Sequence, residues 1–207
     1  MSEKYMPRAL SSSAFWVDIV GTPGTGKNRM ANAMMGEFGN GIKYRFPVKS
    51  TATGRQLNVI GNDPVYPDEV RLLTSVANRR EFVESIQQDT ERGQSVISVN
   101  YQSDKFYRYM YDDVSDDWSR QVCIVLDTPM PDLTVIMKKQ HPDDQDHDHD
   151  AFQQERLFEG VEQLVTDLKN RAITLVVEEH TNDELIEKAK MIVQTARALF
   201  ETRVRDN

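Results

Sequence analysis

The segment Gly21–Lys27, with the sequence GTPGTGK, constrains the fold more than any other feature of the chain because it matches the pattern G-x-x-x-x-G-K. The apolar run Phe15–Val20 precedes it and is about one strand long, and a helical pattern follows it. Glycines let successive backbone N–H groups of such a loop point into one concavity, and the helix N-terminus adds partial positive charge. The sequence therefore predicts a phosphate-binding loop between a strand and a helix; the alternative is a glycine-rich turn without a ligand.

Within this loop, Lys27 is expected to reach the phosphate groups of a bound nucleotide. Asn28 stands where the pattern usually continues with a Ser or Thr that binds Mg²⁺. Its amide oxygen can also bind Mg²⁺, although the longer side chain would move the ion. The residues predicted to bind ATP and its metal are Gly21, Gly24, Thr25, Gly26, Lys27, Asn28 and Arg29, with Asn28 as the metal ligand.

The rest of the chain alternates between short apolar runs and segments with helical spacing. Helices are predicted over residues 28–38 and 67–90. The second of these would bury a face made of Val70, Leu73, Val76, Phe82 and Ile86. Strands are predicted over Phe15–Val20, Ile42–Phe46, Ser95–Tyr101, Leu133–Met137 and Ala172–Val177. This alternation indicates an α/β fold, a three-layer sandwich with a mostly parallel five-stranded sheet.

Composition and charge exclude several classes of protein. The 25 Lys and Arg against 33 Asp and Glu give a net charge of −8, which argues against general nucleic-acid binding. No apolar run approaches the roughly 20 residues of a membrane span, and the start MSEKYMPRALSSS does not look like a signal peptide. The single cysteine, Cys123, fits a reducing compartment. A cytoplasmic protein without membrane contact is predicted.

Several short segments, taken in order, carry a family resemblance. They extend from about Trp16 to about Val177 and are individually unspecific. Together they resemble the thymidylate kinases, which are nucleoside monophosphate kinases of the P-loop type. The segments are YRFPVKST at Tyr44–Thr51 followed by Gly54, Ala77-Asn78-Arg79, Tyr101 at a strand end, PMPDL at Pro129–Leu133, and Phe152-Gln153.

The resemblance implies a kinase that transfers the γ-phosphoryl group of ATP to dTMP or a related deoxynucleoside monophosphate, with Mg²⁺, in a homodimer. It implies that Lys27 and Lys49 are the catalytic residues and that Lys49 contacts the acceptor phosphate. It further implies that Arg79 hydrogen-bonds the pyrimidine and that Tyr101 packs against the deoxyribose, which would disfavour a 2′-hydroxyl. The substrate-binding residues implied in this way are Phe46, Pro47, Lys49, Arg79, Tyr101 and Gln153.

The chain departs from the family pattern where charge is needed. Val99-Asn100 stands where the family has an Asp-Arg pair, Ser75 stands where an aromatic stacks on thymine, and Pro23 replaces an acid in the loop. The expected lid carries HPDDQDHDHD at His141–Asp150 instead of arginine. Phosphoryl transfer depends on electrostatic stabilisation. The alternative is therefore a catalytically impaired relative that binds nucleotides or docks to a protein partner.

Other segments of the sequence allow further interpretations. Val122–Asp127 resembles, by pattern alone, a strand ending in an acid, so a third alternative is an NTPase in which Asp127 holds the metal. His141, His147 and His149 in the acidic loop are interpreted as solvated rather than as a metal site. Cys123 is predicted to be a core residue.

The chain shows no linker that would divide it. We expect a polar tail over residues 1–13 and a single domain over 14–207. Within that domain, a lid-like acidic loop is expected at about 139–151.

Overall fold

The computed structural model describes residues 14–61, 63, 65–102, 114–139, 156, 159–160, 172–177 and 182–205. Strands and helices alternate along these residues. The strands are β1 (Trp16–Gly21), β2 (Ile42–Arg45), β3 (Val96–Val99), β4 (Leu133–Lys139) and β5 (Ala172–Val177). The main helices are α1 (Lys27–Phe38), α2 (Ala52–Ile60), α3 (Asp68–Glu91), α4 (Asp116–Val125) and α5 (Asn182–Arg205).

All five strands form one parallel sheet in the order β2-β3-β1-β4-β5. The central strand β1 lies between β3 and β4, with Asp18 in register with both Ser98 and Thr134. In a parallel sheet the carboxyl ends of the strands meet at one edge, so the segments that follow β1, β2 and β3 lie there together. The predicted α/β fold with its parallel five-stranded sheet is confirmed.

The sheet is the middle of three layers. On one face its apolar side chains pack against α1 and α5, and on the other face Trp16 and Val96 pack with Ile86 of α3. Full burial of a large apolar side chain stabilises the fold by about 1.5–3 kcal/mol. The first face is the larger core cluster, which includes Val17, Ile19, Met30, Met34, Ile97, Val135, Met137, Ile192 and Val193.

Helix α1 follows the sequence prediction closely. It begins directly after Gly26, which has a φ of 77°, and it ends before Gly39, which has a φ of 74°. Glycine adopts such left-handed angles without the penalty that other residues pay. The buried residues of α1 are Met30, Ala31, Met34 and Phe38.

Helix α3 has the predicted extent, and its buried face was predicted correctly at Val76 and Ile86 but incorrectly at Val70 and Leu73. Val70 and Leu73 are 39% and 45% exposed. The buried stripe instead follows the 3–4 residue spacing of a helix and admits polar side chains, which a search for apolar periodicity passes over. Its members are Leu72, Val76, Asn78, Arg79, Val83, Ile86, Asp89 and Thr90.

Helix α4 contradicts the strand reading of Val122–Asp127. Ser115 caps this helix by accepting a hydrogen bond from the backbone N–H of Trp118, 3.2 Å away. Ile124 and Val125 are 48% and 81% exposed, so the β-branched run does not form a buried strand. Cys123 is the buried member of the run, as predicted for a core residue. The capped start of the helix outweighs the strand propensity of its last turn.

A further difference concerns a short helix. Helix α2 was not predicted, and only Gly54 and Ile60 of its nine residues are buried.

None of the helices in the described ranges is long and apolar enough to cross a membrane. The expected tail at residues 1–13 and the acidic loop at His141–Asp150 lie outside the described residues.

Candidate functional site

The loop between β1 and α1 lies at the carboxyl edge of the sheet, next to the ends of β3 and β4. Gly24 and Gly26 have φ angles of 76° and 77°, which turn the backbone back on itself. At Gly21 a Cβ atom would lie 1.9 Å from the carbonyl oxygen of Met137, so only glycine fits against β4. The local sequence thus produces a tight loop whose glycines are sterically required.

The interior of this loop is suited to an anionic ligand. Thr25 is buried and its Oγ1 donates a hydrogen bond to the carbonyl of Thr22 at 2.9 Å, which fixes the turn. Thr22 Oγ1 is buried and has no hydrogen-bond partner among the described residues. No atom lies within 4 Å of the position that a Cβ at Gly26 would take. The Thr22 hydroxyl is thus a free donor, and a group rich in acceptors, such as a phosphate, would satisfy it.

Lys27 lies folded against its own loop. Its Nζ donates hydrogen bonds to the carbonyl oxygens of Gly21 at 2.9 Å and Thr22 at 2.6 Å. Burial, with a smaller contribution from the positive charge of Arg45, lowers the pKa of Lys27 to about 8. A lysine with a cation nearby, whose partners among the described residues are carbonyl oxygens, is poised to bind a strong anion.

Asn28 and Arg29 are exposed in the first turn of α1. An amide oxygen is one of the hard oxygen donors that Mg²⁺ accepts, and phosphate oxygens commonly supply others. Within the described residues, no group of three or more His, Cys, Asp or Glu is arranged to hold a metal ion. Asn28 therefore fits an accessory Mg²⁺ ligand, not a complete protein site.

Arg45 was not identified from the sequence. It ends β2, is exposed, and acts electrostatically on Lys27. Arg45 also directly precedes Phe46 in the chain. It therefore lies between Lys27 of the phosphate loop, on which its charge acts, and the segment predicted to bind the acceptor. Its position at the carboxyl end of a strand beside the loop is the signal that could have revealed it.

An aromatic cluster follows β2 and β3. Phe46 and Tyr101 are 3% and 1% exposed, and their rings meet edge to face with centroids 5.3 Å apart. Trp16 packs against the other side of Tyr101 at 4.5 Å, and Phe82 contacts Phe46 at 5.8 Å. The predicted residues Phe46 and Tyr101 are thus brought together, largely buried, beside the exposed Pro47.

Arg79 joins this cluster from α3. It is 2% exposed, and its guanidinium donates a hydrogen bond to the carbonyl oxygen of Tyr101 at 2.8 Å. The same guanidinium lies 5.3 Å from the centre of the Tyr101 ring, an attractive cation–π arrangement. Its Nη2 is also 3.9 Å from the sulfur of Cys123. Arg79 is therefore placed beside Tyr101, beneath the surface.

Asn78 holds the segment that carries Lys49 and was not identified as a site residue. It is fully buried; its Oδ1 accepts a hydrogen bond from the backbone N–H of Val48 at 2.8 Å, and its Nδ2 donates to Thr51 and Thr53. Lys49 itself is exposed. The middle residue of the Ala-Asn-Arg motif thus fixes the loop from below and leaves the lysine free to face solvent.

The remaining predicted positions are less informative. Asn100 follows β3 with a φ of 64°, and Val99 before it is buried in the core, so neither supplies the charges expected there. Asp127 lies exposed in the turn after α4 with a φ of 46°, not at a strand end, which removes the basis for its reading as a metal-holding acid. Gln153 and the histidine-containing acidic loop lie outside the described residues.

Comparisons with known proteins place this geometry among known folds. No family model matches the chain, and no curated protein matches it. The chain is similar in structure to the thymidylate kinase from Candida albicans, with a TM-score of 0.73 and 20% identity over 91% of this chain and 95% of that one. It is also similar to the thymidylate kinase from Ehrlichia chaffeensis, with a TM-score of 0.67 and 15% identity over 87% of this chain and 98% of that one. At these identities the likeness shows that the chain shares the fold of these two structures.

Proposed function

Proceeding from a thymidylate kinase fold, we propose that the chain is a nucleoside monophosphate kinase that moves the γ-phosphoryl group of ATP to dTMP or a related deoxynucleotide. The observation that carries the proposal is the position of Arg45. It connects the phosphate loop with the aromatic cluster of Phe46 and Tyr101 at one edge of the sheet. A donor site and an acceptor site that share an edge are what a direct transfer between two nucleotides requires.

In the proposed reaction an oxygen of the acceptor phosphate attacks the γ-phosphorus in line, and ADP leaves. Lys27 and the loop N–H groups stabilise the negative charge on the transferred group. Lys49, presented by the segment that Asn78 fixes, binds the acceptor phosphate. Bound Mg²⁺, with Asn28 as its candidate protein ligand, would neutralise charge shared by the phosphates.

The acceptor nucleoside is assigned to the aromatic cluster. Phe46 and Pro47 line the base pocket, Tyr101 packs against the sugar, and Arg79 hydrogen-bonds the pyrimidine. Gln153 is proposed to complete this pocket. Because Arg79 and Tyr101 are 2% and 1% exposed, side chains that cover them must move for a base to reach them.

A second candidate function is a nucleotide-binding or partner-docking protein with little catalysis. It is favoured by the loss of charge at the end of β3. There the buried Val99 and the neutral Asn100 stand where the resembled family has an Asp-Arg pair. An arginine in a phosphoryl-transfer site can contribute about 10³-fold or more to the rate. Loss of both charges would leave binding intact and slow the chemical step.

We also propose a cytoplasmic homodimer with one domain and an acidic lid at about residues 139–151. Exposed apolar side chains favour a second copy as partner: Val70 and Leu73 on α3, and Ile124 and Val125 on α4. Contact with the same surface of a second copy would bury these apolar side chains and remove their area from water.

The test of function is ADP release from the full chain with ATP, Mg²⁺ and dTMP, together with calorimetric titration of each nucleotide. Turnover that depends on dTMP supports the kinase. Binding of both nucleotides without turnover supports the second candidate. Absence of dTMP binding would reject the acceptor assignment.

The lowered pKa of Lys27 gives a pH prediction. In the ligand-free chain the ammonium is lost as the pH rises through about 8, whereas bound phosphate favours the charged form. The Kd for ATP should therefore rise by about tenfold per pH unit above that value, because one proton is taken up on binding. Titration at pH 7.5, 8.5 and 9.5 measures the slope. Lys27→Arg stays protonated throughout and should show a flat profile; an equal slope in that variant would contradict the assignment.

A further inference from the structure

The centre of the sheet contains a row of polar side chains that the proposed reaction does not use. Ser98 of β3, Asp18 of β1 and Thr134 of β4 are neighbours in register, and all are at most 1% exposed. An unpaired carboxylate in such a place would be very costly. Asp18 therefore needs specific partners, and their identity indicates what it does.

The carboxylate of Asp18 is bound mainly by the segment that leaves β3. Oδ1 accepts hydrogen bonds from Ser98 Oγ at 2.7 Å and from the backbone N–H of Tyr101 at 3.1 Å. Oδ2 accepts one from the backbone N–H of Gln102 at 2.9 Å. Trp16 Nε1 donates to Ser98 Oγ at 2.9 Å and so holds that hydroxyl in place.

These bonds fix a turn with a left-handed residue. Asn100, between β3 and Tyr101, has a φ of 64°, in the left-handed region that asparagine adopts more readily than most residues. Two consecutive N–H groups beyond it converge on one carboxylate. The Gln102 side chain then folds back across the row and donates from Nε2 to Thr134 Oγ1 at 2.6 Å. The carboxylate thus determines the direction in which the chain leaves the sheet.

The consequence reaches the aromatic cluster through Tyr101. The ring of this residue contacts Phe46, and its carbonyl oxygen accepts the hydrogen bond of Arg79. A shift of the Tyr101 backbone would therefore move both partners. Arg79 is also the cation that acts on Asp18 electrostatically.

We infer that Asp18 is a positioning residue for the acceptor nucleotide: through the N–H groups of Tyr101 and Gln102 it sets the orientation of Tyr101 and Arg79. This inference rests on the proposed function, because it assigns those two residues to the acceptor. Asp18 does not contact a nucleotide; it acts through the turn after β3.

The ionisation of Asp18 is compatible with this role. Burial raises the pKa of its carboxyl to about 6, and the hydrogen bonds from Ser98, Gln102 and Tyr101 together with the charge of Arg79 limit the rise. At pH 8 the group is ionised and can accept all of its hydrogen bonds.

The test compares Asp18→Asn with Thr134→Val in the full chain at pH 8. The first keeps the shape but removes the charge that the turn binds, and the second removes a hydrogen bond from the same row without touching the two N–H groups. We expect Asp18→Asn to weaken dTMP binding by about tenfold or more and ATP binding by less than about threefold, since charged hydrogen bonds are stronger than neutral ones. Thr134→Val should leave the dTMP Kd within about threefold of the parent value, because its hydrogen bond is neutral.

Amide hydrogen exchange of Tyr101 and Gln102 without ligand separates this inference from the proposed function. Protection of both amides should fall by about tenfold in Asp18→Asn and remain in Thr134→Val. Unchanged protection, unchanged dTMP affinity in a folded Asp18→Asn, or an equal loss in Thr134→Val would overturn the inference. If the parent protein binds no dTMP but the two amides lose protection in Asp18→Asn as expected, the proposed function is rejected. The control of the turn by Asp18 then stands, and the assignment of dTMP as the ligand that it positions is rejected.

Should Asp18→Asn fail to fold, Ser98→Ala replaces it. This variant keeps the carboxylate but removes the hydroxyl that donates to Asp18 and accepts from Trp16 Nε1. A loss of dTMP affinity of about threefold or more, with ATP affinity retained, is then expected from the lost bond to Asp18. Equal dTMP affinity in Ser98→Ala and the parent would overturn the inference.

Discussion

Lys27→Ala is expected to weaken ATP binding by about 100-fold while the chain remains folded. A hydrogen bond to a charged group contributes about 1.5–3 kcal/mol, and each ~1.4 kcal/mol corresponds to tenfold in Kd. The Nζ bonds to the carbonyls of Gly21 and Thr22 join only the two ends of the loop, the last residue of β1 and the first of α1, which the chain already holds close together. Thermal unfolding should therefore change little. Calorimetric titration with ATP measures the effect.

The matched control is Lys43→Ala. Lys43 is also a lysine near α1, but it is exposed on β2 and its Nζ donates to Asn32. The Lys43→Ala variant loses one positive charge, as Lys27→Ala does, but at a site outside the loop. Its ATP affinity should stay within about threefold of the parent value, as expected of a screened surface charge. Equal ATP binding by Lys27→Ala and the parent would show that the loop does not hold the phosphates.

Gly54→Ala is expected to lower the free energy of unfolding by about 2–4 kcal/mol, from a backbone clash and the loss of a buried hydrogen bond. Gly54 is buried in α2, and a Cβ there would lie 1.9 Å from the carbonyl oxygen of Val48. The Val48–Lys49 backbone must then move and give up the bond from Val48 N–H to Asn78. Because this segment carries Lys49, dTMP affinity should fall more than ATP affinity.

Gly36→Ala is the control for Gly54→Ala. Gly36 is exposed in α1, and no atom lies within 4 Å of the Cβ position. Alanine is favoured over glycine in a helix by about 1 kcal/mol, so this variant should be slightly more stable than the parent. Denaturant unfolding compares the two. If both variants gain stability equally, the result contradicts the close contact between Gly54 of α2 and the backbone of Val48.

The sequence was most informative where a local signal and the fold agree. The loop Gly21–Lys27 requires a strand before it and a helix after it, and both are present. The family resemblance grouped Phe46, Arg79 and Tyr101, and the fold places Tyr101 in contact with each of the other two. Glycines and family motifs can be identified from sequence because the backbone conformation or packing that they require involves residues close to them in the chain.

What could not be predicted depends on contacts between distant parts of the chain. Asp18 lies inside an apolar run and would be taken for an ordinary strand residue until Ser98 and the Tyr101 turn are placed beside it. Arg45 gained its role only from the position of Lys27. In α4, strand propensity competed with a helix cap at Ser115, and the outcome depended on the exposed position of Val125.

Under the proposed function, the two carbonyl partners of Lys27 compete with every ligand of the loop for its ammonium. Each polyphosphate would displace the same bonds to Gly21 and Thr22, whatever base and sugar it carries. A free-energy cost shared by all ligands lowers each affinity by the same factor and cancels from the ratio of any two. Discrimination between adenine and guanine nucleotides must therefore arise outside the loop, from groups that contact the base.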